Sequence, residues 1–214
     1  MNAFILAGGQ STRMGRDKAL LEFQHTPLIA RAVDCLRSLP LSARICGSRP
    51  DLARFAPVIP DRFPGCGPLA GIEAGLAATD AALNLFIPVD MPDLPVEFLR
   101  WMIARAEASE AVATIPCLGG RAQPLCAIYS RRLAPGLRSV LGSGHYKVMA
   151  AIAAAAASLA ERADSFQMES VAAALSPGLW PMNPPLRQWF RNLNTPADLE
   201  LESAPGAGGR NPIS

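Results

Sequence analysis

The amino-acid sequence predicts an α/β protein, with one three-layer domain built around a mostly parallel central sheet. Short apolar segments alternate with amphipathic segments through the first half of the chain, as strands and helices do in this fold class. Residues 83–89 are almost wholly apolar, which is typical of a central strand buried on both faces. No internal repeat or composition break divides the chain. We therefore predict one domain over residues 1–202, followed by a disordered Gly/Pro-rich tail over residues 203–214.

The order of the predicted elements follows from apolar periodicity and from turn residues. Strands are predicted at residues 3–6, 43–46, 58–59, 83–89, 112–115 and 125–129. Helices are predicted at residues 27–39, 69–78, from 95 onward, 133–141 and 148–162. In the first helix, Thr26 is the expected N-cap and Pro27 the first helical residue. Residues 176–185 are rich in proline and glycine, and we expect a surface loop that packs its aromatic side chains on the domain.

Composition limits the classes of function. Half of the 214 residues are apolar, the net charge is +2 and the basic residues are scattered, which argues against disorder and against nucleic-acid binding. Five cysteines without a Cys-x-x-Cys pair indicate reduced thiols packed as small hydrophobes. The apolar runs at residues 4–7 and 149–157 are far shorter than the roughly 20 residues of a membrane span. We expect no targeting segment, no membrane association and a cytoplasmic location.

A glycine-rich loop follows the first predicted strand. Gly8 and Gly9 lack a β-carbon, so the backbone can turn tightly and bring its N–H groups close to an anion. Glycines alone would indicate an ordinary turn. Arg13 adds a planar charged fork and Lys18 a mobile point charge, so the segment predicts a phosphate-binding site. Its spacing is neither that of a Walker A motif nor Gly-x-Gly-x-x-Gly.

Asp90 follows the apolar strand at residues 83–89, at the edge where open α/β sheets bind ligands. A carboxylate in this place can hold Mg²⁺, which keeps most of its waters and bridges to substrate phosphates. The alternative role is a helix N-cap or a turn. We assign that role to Asp93, which precedes Leu94 and Pro95, and we predict that Asp90 is the metal ligand.

Asp61 is a weaker candidate on its own. Gly65 and Gly67 after it would allow a loop to lie against a nucleobase or ribose, and the Asp61 carboxylate could accept hydrogen bonds from base N–H groups. The sequence Asp-x-x-Pro-Gly is also a generic turn, so both interpretations stay open.

Several motifs together carry a family resemblance. They are Leu-Ala-Gly-Gly-x-Ser-x-Arg-Met-Gly-x-Asp-Lys-Ala-Leu-Leu at residues 6–21, Gly-Pro-Leu-Ala-Gly at 67–71, Pro-Val-Asp-Met-Pro at 88–92 and Asn-Leu-Asn-Thr-Pro at 192–196. With these motifs in this order, the chain resembles the molybdenum cofactor guanylyltransferases, which belong to the Rossmann-like nucleotidyltransferases. The resemblance implies that fold, and transfer of GMP from Mg·GTP to the terminal phosphate of molybdopterin with release of pyrophosphate.

The resemblance also implies the roles of individual residues. The catalytic residues would be Arg13, Lys18 and Asp90, with Asp90 holding Mg²⁺. The nucleotide-binding residues would be Leu6, Ala7, Gly8, Gly9, Arg13, Lys18, Asp61, Gly67 and Asp90. The acceptor-binding residues would be Gln123, Pro124, Lys147, Asn192 and Asn194. The partners implied are GTP, molybdopterin or Mo-molybdopterin, and molybdoenzyme maturation proteins.

Two departures from the family pattern keep other functions open. The segment Ile-Cys-Gly-Ser-Arg at residues 45–49 stands where relatives often carry asparagine, which puts one base or ribose contact in doubt. The segment between Lys147 and Asn192 is longer than in typical members and contains Trp180, Trp189 and Phe190. One alternative is a cytidylyl- or sugar-1-phosphate nucleotidyltransferase of the same fold. The other is a catalytically inactive relative that binds nucleotide or pterin as an adaptor in molybdoenzyme maturation.

Overall fold

The computed structural model describes residues 1–8, 17–175, 178–181 and 183–193. Within them, the strands are β1 (Asn2–Leu6), β2 (Glu22–Phe23), β3 (Thr26–Pro27), β4 (Ala43–Cys46), β5 (Val58–Ile59), β6 (Leu83–Pro88), β7 (Ala113–Leu118), β8 (Arg121–Ala122), β9 (Ala127–Ser130) and β10 (Ala163–Gln167). The helices are α1 (Leu28–Arg37), α2 (Pro68–Ala77), α3 (Val96–Ala108), α4 (Ala134–Gly142), α5 (Val148–Ser158), α6 (Met168–Ala174) and α7 (Leu186–Trp189).

Eight of these strands form the central sheet, in the order β10-β7-β9-β6-β1-β4-β5 with β8 paired to β7. The pairs β1–β4, β1–β6, β4–β5 and β7–β10 are parallel, and β9 runs antiparallel between β6 and β7. Strand β1 lies between β4 and β6, so the chain moves outward on one side of β1 and then returns to its other side. This reversal is the topological switch point at which open α/β sheets bind ligands.

The side chains of β1 alternate between two apolar cores, one on each face of the sheet. Ala3 and Ile5 belong to a core shared with α1, α3 and α6, whereas Phe4 and Leu6 belong to a core shared with α2, α4 and α5. Successive side chains of a strand point to opposite faces, so both faces of this central strand are covered by helices. The predicted three-layer α/β fold with a mostly parallel sheet is confirmed.

The predicted start of the first helix is wrong by one residue. Thr26 and Pro27 pair with Phe23 and Glu22 in the β2–β3 hairpin, and α1 begins at Leu28 with Pro27 as its N-cap. The hairpin turn places Gln24 and His25 at positive φ. The backbone of Thr26 and Pro27 is therefore taken up by strand pairing before the helix can begin.

The segment after α5 also differs from its prediction. The helix predicted over residues 148–162 ends at Ser158, and the next residues form β10 and then α6. Strand β10 is mostly polar, and Phe166 is its buried residue, so an apolar pattern could not reveal it. Its parallel pairing with β7 supplies the hydrogen bonds that define it.

The aromatic residues near the C-terminus pack on the domain, as predicted. Trp180, Trp189 and Phe190 are buried, and their rings lie 5.4–5.7 Å from one another or from Phe98 on α3. Trp101 extends the cluster, 5.2 Å from Trp180. Residues 176, 177 and 182 of the predicted loop and the predicted tail at 203–214 lie outside the described residues.

All five cysteines are free thiols, and Cys46, Cys117 and Cys126 are buried, as expected of small apolar residues. Burial raises the pKa of the Cys35 thiol to about 11, which keeps it protonated near neutral pH. Among the described residues, no helix has the length and apolar character needed to cross a membrane.

Candidate functional site

A cavity of about 270 Å³ lies at the carboxyl ends of β1 and β6, at the switch point. Its walls are residues 6–8 after β1, residues 17–19, residues 88–90 after β6, and Arg49, Pro68 and Leu125. A second cavity of about 440 Å³ lies beside it and shares Gly8 and Arg49 with the first. The loops after β1, β4, β5 and β6 thus meet at one edge of the sheet, because the carboxyl ends of parallel strands share that edge.

Lys18 and Asp90 meet across the first cavity, although 72 positions separate them in the sequence. The Lys18 Nζ lies 3.5 Å from the Asp90 Oδ2, and both side chains are largely buried. Lys18 begins a short 3-10 turn, Lys18–Leu20, whose N-cap is Asp17. The structure therefore brings together two of the residues that the sequence predicted for the site.

Asp61 lies in the second cavity, with Gly8, Gly65 and Gly67 around it. Burial raises the pKa of its carboxyl group above the ordinary range. Its Oδ1 is buried without a hydrogen-bond partner among the described residues, a costly state for a polar atom that a ligand donor would relieve. Asp61, Gly67 and Gly8, three of the residues predicted to bind nucleotide, therefore line one cavity.

The loops after β1 and β4 cross closely at two glycines. Gly47 has a φ of +142°, and a β-carbon on it would lie 3.0 Å from the Gly8 backbone nitrogen. A β-carbon on Gly8 would in turn lie 3.4 Å from the Asp61 Oδ2. The positive φ and the 3.0 Å contact require glycine at position 47, and the approach of the two loops places the Asp61 carboxylate beside the start of the N-terminal loop.

Two residues of the cavity wall received no role from the sequence. Arg49 lines both cavities, and Asp17 lines the first, where the two side chains form an ion pair. The available signal was positional: Arg49 follows β4 by three residues and therefore lies at the same sheet edge as Asp61 and Asp90. The prediction gave weight to glycines and carboxylates at that edge and overlooked the arginine.

The prediction that Asp93 caps α3 is wrong. The N-cap of α3 is Pro95, and no side chain caps the helix. The Asp93 carboxylate instead pairs with Arg191 at 3.3 Å, and its side chain is largely buried. Near it, the Leu193 backbone N–H donates to the Asp90 carbonyl at 3.0 Å, so the last described residues lie against the turn that carries Asp90.

The residues predicted to bind the acceptor divide into two groups. Gln123 and Pro124 immediately precede Leu125 of the first cavity wall, and Asn192 precedes the Leu193 that contacts the Asp90 turn. Lys147 is exposed at the N-cap of α5 and lines neither cavity.

The residue before Lys147 connects it to the second cavity. Interaction with Cys66, which lies between Gly65 and Gly67, raises the pKa of the Tyr146 hydroxyl. Lys147 follows Tyr146 in the chain, so it lies near the loop that carries Cys66. Gly9, Arg13 and Asn194 lie outside the described residues.

The first cavity also fits a divalent cation that arrives with a substrate. Of its two carboxylates, Asp17 is engaged by Arg49, whereas Asp90 faces the Lys18 ammonium at 3.5 Å. In the described part of the chain, no three His, Cys, Asp or Glu side chains form a metal-binding group. Mg²⁺ is commonly held by one or two carboxylates together with substrate phosphates, and a single Asp90 carboxylate suits that mode.

The sequence matches the family model of the MobA-like NTP transferase domain over residues 3–163. The chain belongs to this family. The match covers the sheet from β1 to the start of β10 and therefore all the loops that line the two cavities. Membership of the nucleotidyltransferases confirms the resemblance that the motifs predicted.

Similar proteins agree with the MobA-like assignment. A molybdenum cofactor guanylyltransferase of Syntrophotalea carbinolica is 32% identical over 97% of this chain and 92% of its own length. A probable molybdenum cofactor guanylyltransferase of Mycobacterium tuberculosis is 37% identical over 78% of this chain and 86% of its own length.

Solved structures share the fold. Molybdopterin-guanine dinucleotide biosynthesis protein A of Archaeoglobus fulgidus has a TM-score of 0.74 and 22% identity, covering 94% of this chain and 96% of its own. A 2-C-methyl-D-erythritol 4-phosphate cytidylyltransferase of Thermus thermophilus has a TM-score of 0.54 and 13% identity, and the match covers 86% of this chain and 94% of its own. The MobA-like chain therefore has the fold of Rossmann-like nucleotidyltransferases.

Proposed function

We propose that this chain is a molybdenum cofactor guanylyltransferase, which transfers GMP from Mg·GTP to the terminal phosphate of molybdopterin or Mo-molybdopterin. The observation that carries the proposal is the pairing of Lys18 with Asp90 at the switch point, where a cation and a carboxylate share one cavity. The names of the relatives supply the acceptor and the nucleotide class. In this proposal, the nucleotide lies on Leu6, Ala7, Gly8 and Gly9.

The triphosphate would lie in the first cavity. The Lys18 ammonium faces this cavity and would donate to phosphate oxygens, and Arg13 of the same loop would add a second cation. Asp90 would hold Mg²⁺, which when bound supplies charge neutralisation at the phosphates. Lys18 already lies beside the Asp90 carboxylate, so cation, metal ligand and phosphates would share one small volume.

The base would lie in the second cavity. The Asp61 carboxylate accepts hydrogen bonds, and guanine offers N–H donors at N1 and N2. The unpartnered Asp61 Oδ1 would gain a partner there, and Gly67 leaves room at the cavity wall because a β-carbon on it would meet no atom within 4 Å. Gly8 joins the two cavities, so one nucleotide can occupy both.

The reaction needs no covalent protein intermediate. An oxygen of the acceptor's terminal phosphate attacks the α-phosphorus of GTP, a new phosphoanhydride bond forms, and the bond to the β-phosphate oxygen breaks with release of pyrophosphate. Positioning and charge neutralisation carry most of such a transfer. Gln123, Pro124, Asn192 and Asn194 would position the acceptor from the side of Leu125 and the Asp90 turn.

Lys147 has a proposed role in acceptor binding. It would contact an anionic group of the acceptor from the α5 side, near the loop of the second cavity.

The proposal also covers the cellular location and the partners of the enzyme. Reduced thiols are typical of cytosolic proteins, and five free cysteines support a cytoplasmic enzyme that delivers its product to molybdoenzyme maturation proteins. We propose no nucleic-acid or membrane partner.

The decisive experiment compares Mg·GTP and Mg·CTP on the same purified molybdopterin, with pyrophosphate release and the nucleotide adduct as readouts. We expect transfer with GTP, and a loss of about 100-fold or more in kcat for Lys18→Ala and for Asp90→Asn. Arg54→Ala is the matched control, because Arg54 is exposed over the Phe55 ring and lines neither cavity.

Each other result would contradict a named part of the proposal. A preference for CTP would make the chain a cytidylyltransferase. Nucleotide binding without pyrophosphate release would favour the inactive adaptor. Full transfer by Lys18→Ala or Asp90→Asn would remove those residues from the site.

A further inference from the structure

Arg49 connects the two cavities at the end of β4. It lines both of them, and its side chain is 18% exposed. It stands immediately before a short 3-10 turn, Pro50–Arg54, so its backbone is held between a strand end and a turn. The proposed reaction gives it no part, although its side chain lines both cavities of the site.

The guanidinium of Arg49 joins two carboxylates. Its Nη1 donates to the Asp17 Oδ1 at 2.9 Å, and its Nη2 contacts the Asp17 Oδ2, which makes a two-pronged pair. Its Nε donates to the Asp51 Oδ1 at 2.9 Å. A planar fork paired with both oxygens of a carboxylate fixes direction as well as distance, which a lysine could not do.

Asp17 links the Arg49 guanidinium to the backbone turn that carries Lys18. Its Oδ1 also accepts from the Ala19 backbone N–H at 3.1 Å and so caps the 3-10 turn that begins at Lys18. Because the cap and the Arg49 pair use the same carboxylate, the turn is tied to the end of β4. Lys18 then extends to Asp90 at the end of β6.

We propose that Arg49 is a positioning residue that acts through Asp17 to hold the Lys18 ammonium at the first cavity. The inference rests on the proposed function, in which Lys18 contacts the triphosphate. A displacement of about 1 Å in a group that positions substrate can cost on the order of 100-fold in rate. Loss of Arg49 therefore acts on the position of Lys18 rather than on its charge.

The first test reads the position of Lys18 without any substrate. The chain has two lysines, Lys18 and Lys147, so reductive methylation with ¹³C-formaldehyde labels only these and the N-terminal amine. In Arg49→Gln, we expect the Lys18 methyl resonance to move while the Lys147 resonance stays in place. Arg54→Gln removes the same charge from the neighbouring turn and should move neither resonance.

The second test is a kinetic double-mutant cycle with Mg·GTP. Arg49→Gln should lower kcat by about ten- to a hundredfold and change KM for GTP by less than about threefold. Asp17→Asn keeps the oxygen that caps the turn but removes the charge. If Arg49 acts through Asp17, the double variant should be no slower than the slower single variant.

The proposal is overturned by an unmoved Lys18 resonance in Arg49→Gln, or by losses that multiply in the double variant. A rise in KM with unchanged kcat also overturns it, since that result indicates direct binding of substrate by Arg49. If the unsubstituted protein transfers no GMP, the proposed function fails. The Lys18 resonance still decides the positioning role in that case.

Discussion

At the scale of single residues, the site combines groups whose environments differ sharply. Lys18 and Asp90 neutralise each other's charge at 3.5 Å, whereas the Asp61 Oδ1 has no hydrogen-bond partner in the described structure. A buried polar atom without a partner costs folding free energy, and such costs concentrate where a ligand supplies the missing partner. The candidate base pocket is therefore the place where stability and binding are expected to conflict.

We expect Asp61→Asn to raise the melting temperature at pH 7. Burial raises the pKa of Asp61 in the folded chain, so its contribution to stability is present at low pH and is lost as pH rises through that pKa. The neutral amide avoids this loss. The gain should disappear as the pH falls toward about 3, where the carboxyl group is protonated in both states. Thermal unfolding monitored between pH 3 and 8 gives the measurement.

The same variant separates stability from binding. Asp61→Asn should also reduce the rise in melting temperature caused by GTP, because the carboxylate that accepts from guanine is gone. Asp51→Asn is the control of opposite sign, since hydrogen bonds from Arg49 lower the pKa of Asp51. A lower melting temperature for Asp61→Asn at pH 7 would contradict the prediction, because it would show that the folded chain stabilises the charged Asp61 carboxylate.

At the scale of secondary-structure elements, close helix packing supports the face of the sheet that carries α2. Helices α4 and α5 approach at Gly136, where a β-carbon would lie 2.8 Å from the Ala155 Cβ and 2.9 Å from its Cα. The alanine-rich sequence of α5 suits this approach, since small side chains let the two helices pack closely. Gly136 is therefore expected to be a packing residue.

We expect Gly136→Ala to lower the free energy of unfolding by about 1–3 kcal/mol, because the helices must move apart. Urea unfolding followed by circular dichroism measures the change. Gly142→Ala is the matched control in the same helix, where a new β-carbon meets no atom within 4 Å, and its stability should change little. Equal effects of the two substitutions would contradict the packing explanation.

At the scale of the whole molecule, the C-terminal segment connects distant parts of the chain. Its aromatic side chains pack on α3, and Arg191 and Leu193 contact Asp93 and the backbone of Asp90. The segment therefore belongs to the core that α1 and α3 share, and it contacts the loop that carries Asp90, the proposed metal ligand. If residues 1–202 form a single domain, as predicted, this segment should unfold together with the rest of the chain.

One unfolding experiment tests that organisation. All three tryptophans of the chain, Trp101, Trp180 and Trp189, lie in the aromatic cluster, so intrinsic fluorescence reports on the docking of the C-terminal segment. In a single cooperative domain, the fluorescence and far-ultraviolet circular dichroism transitions in urea should coincide. A fluorescence transition at lower urea would show that the C-terminal segment unfolds as a separate unit.

The sequence was sufficient for the fold class, because apolar periodicity and turn residues are local signals. Apolar strands, glycine turns and a carboxylate after a buried strand recur at fixed places in α/β sheets, and the predictions for Lys18 and Asp90 rest on them, whereas the role of Asp61 was implied by the family resemblance. Strand β10 escaped detection because it is mostly polar and is defined by hydrogen bonds to β7.

Contacts between distant residues could be seen only in the folded chain. Asp93 pairs with a residue 98 positions away, and Arg49 with one 32 positions away. Charged side chains find their partners through the packing of the elements that carry them, and no local pattern encodes which carboxylate an arginine will meet. The sequence thus determined which chemical groups stand at the sheet edge, and tertiary packing decided how they pair, because pairing depends on distances that only the completed fold sets.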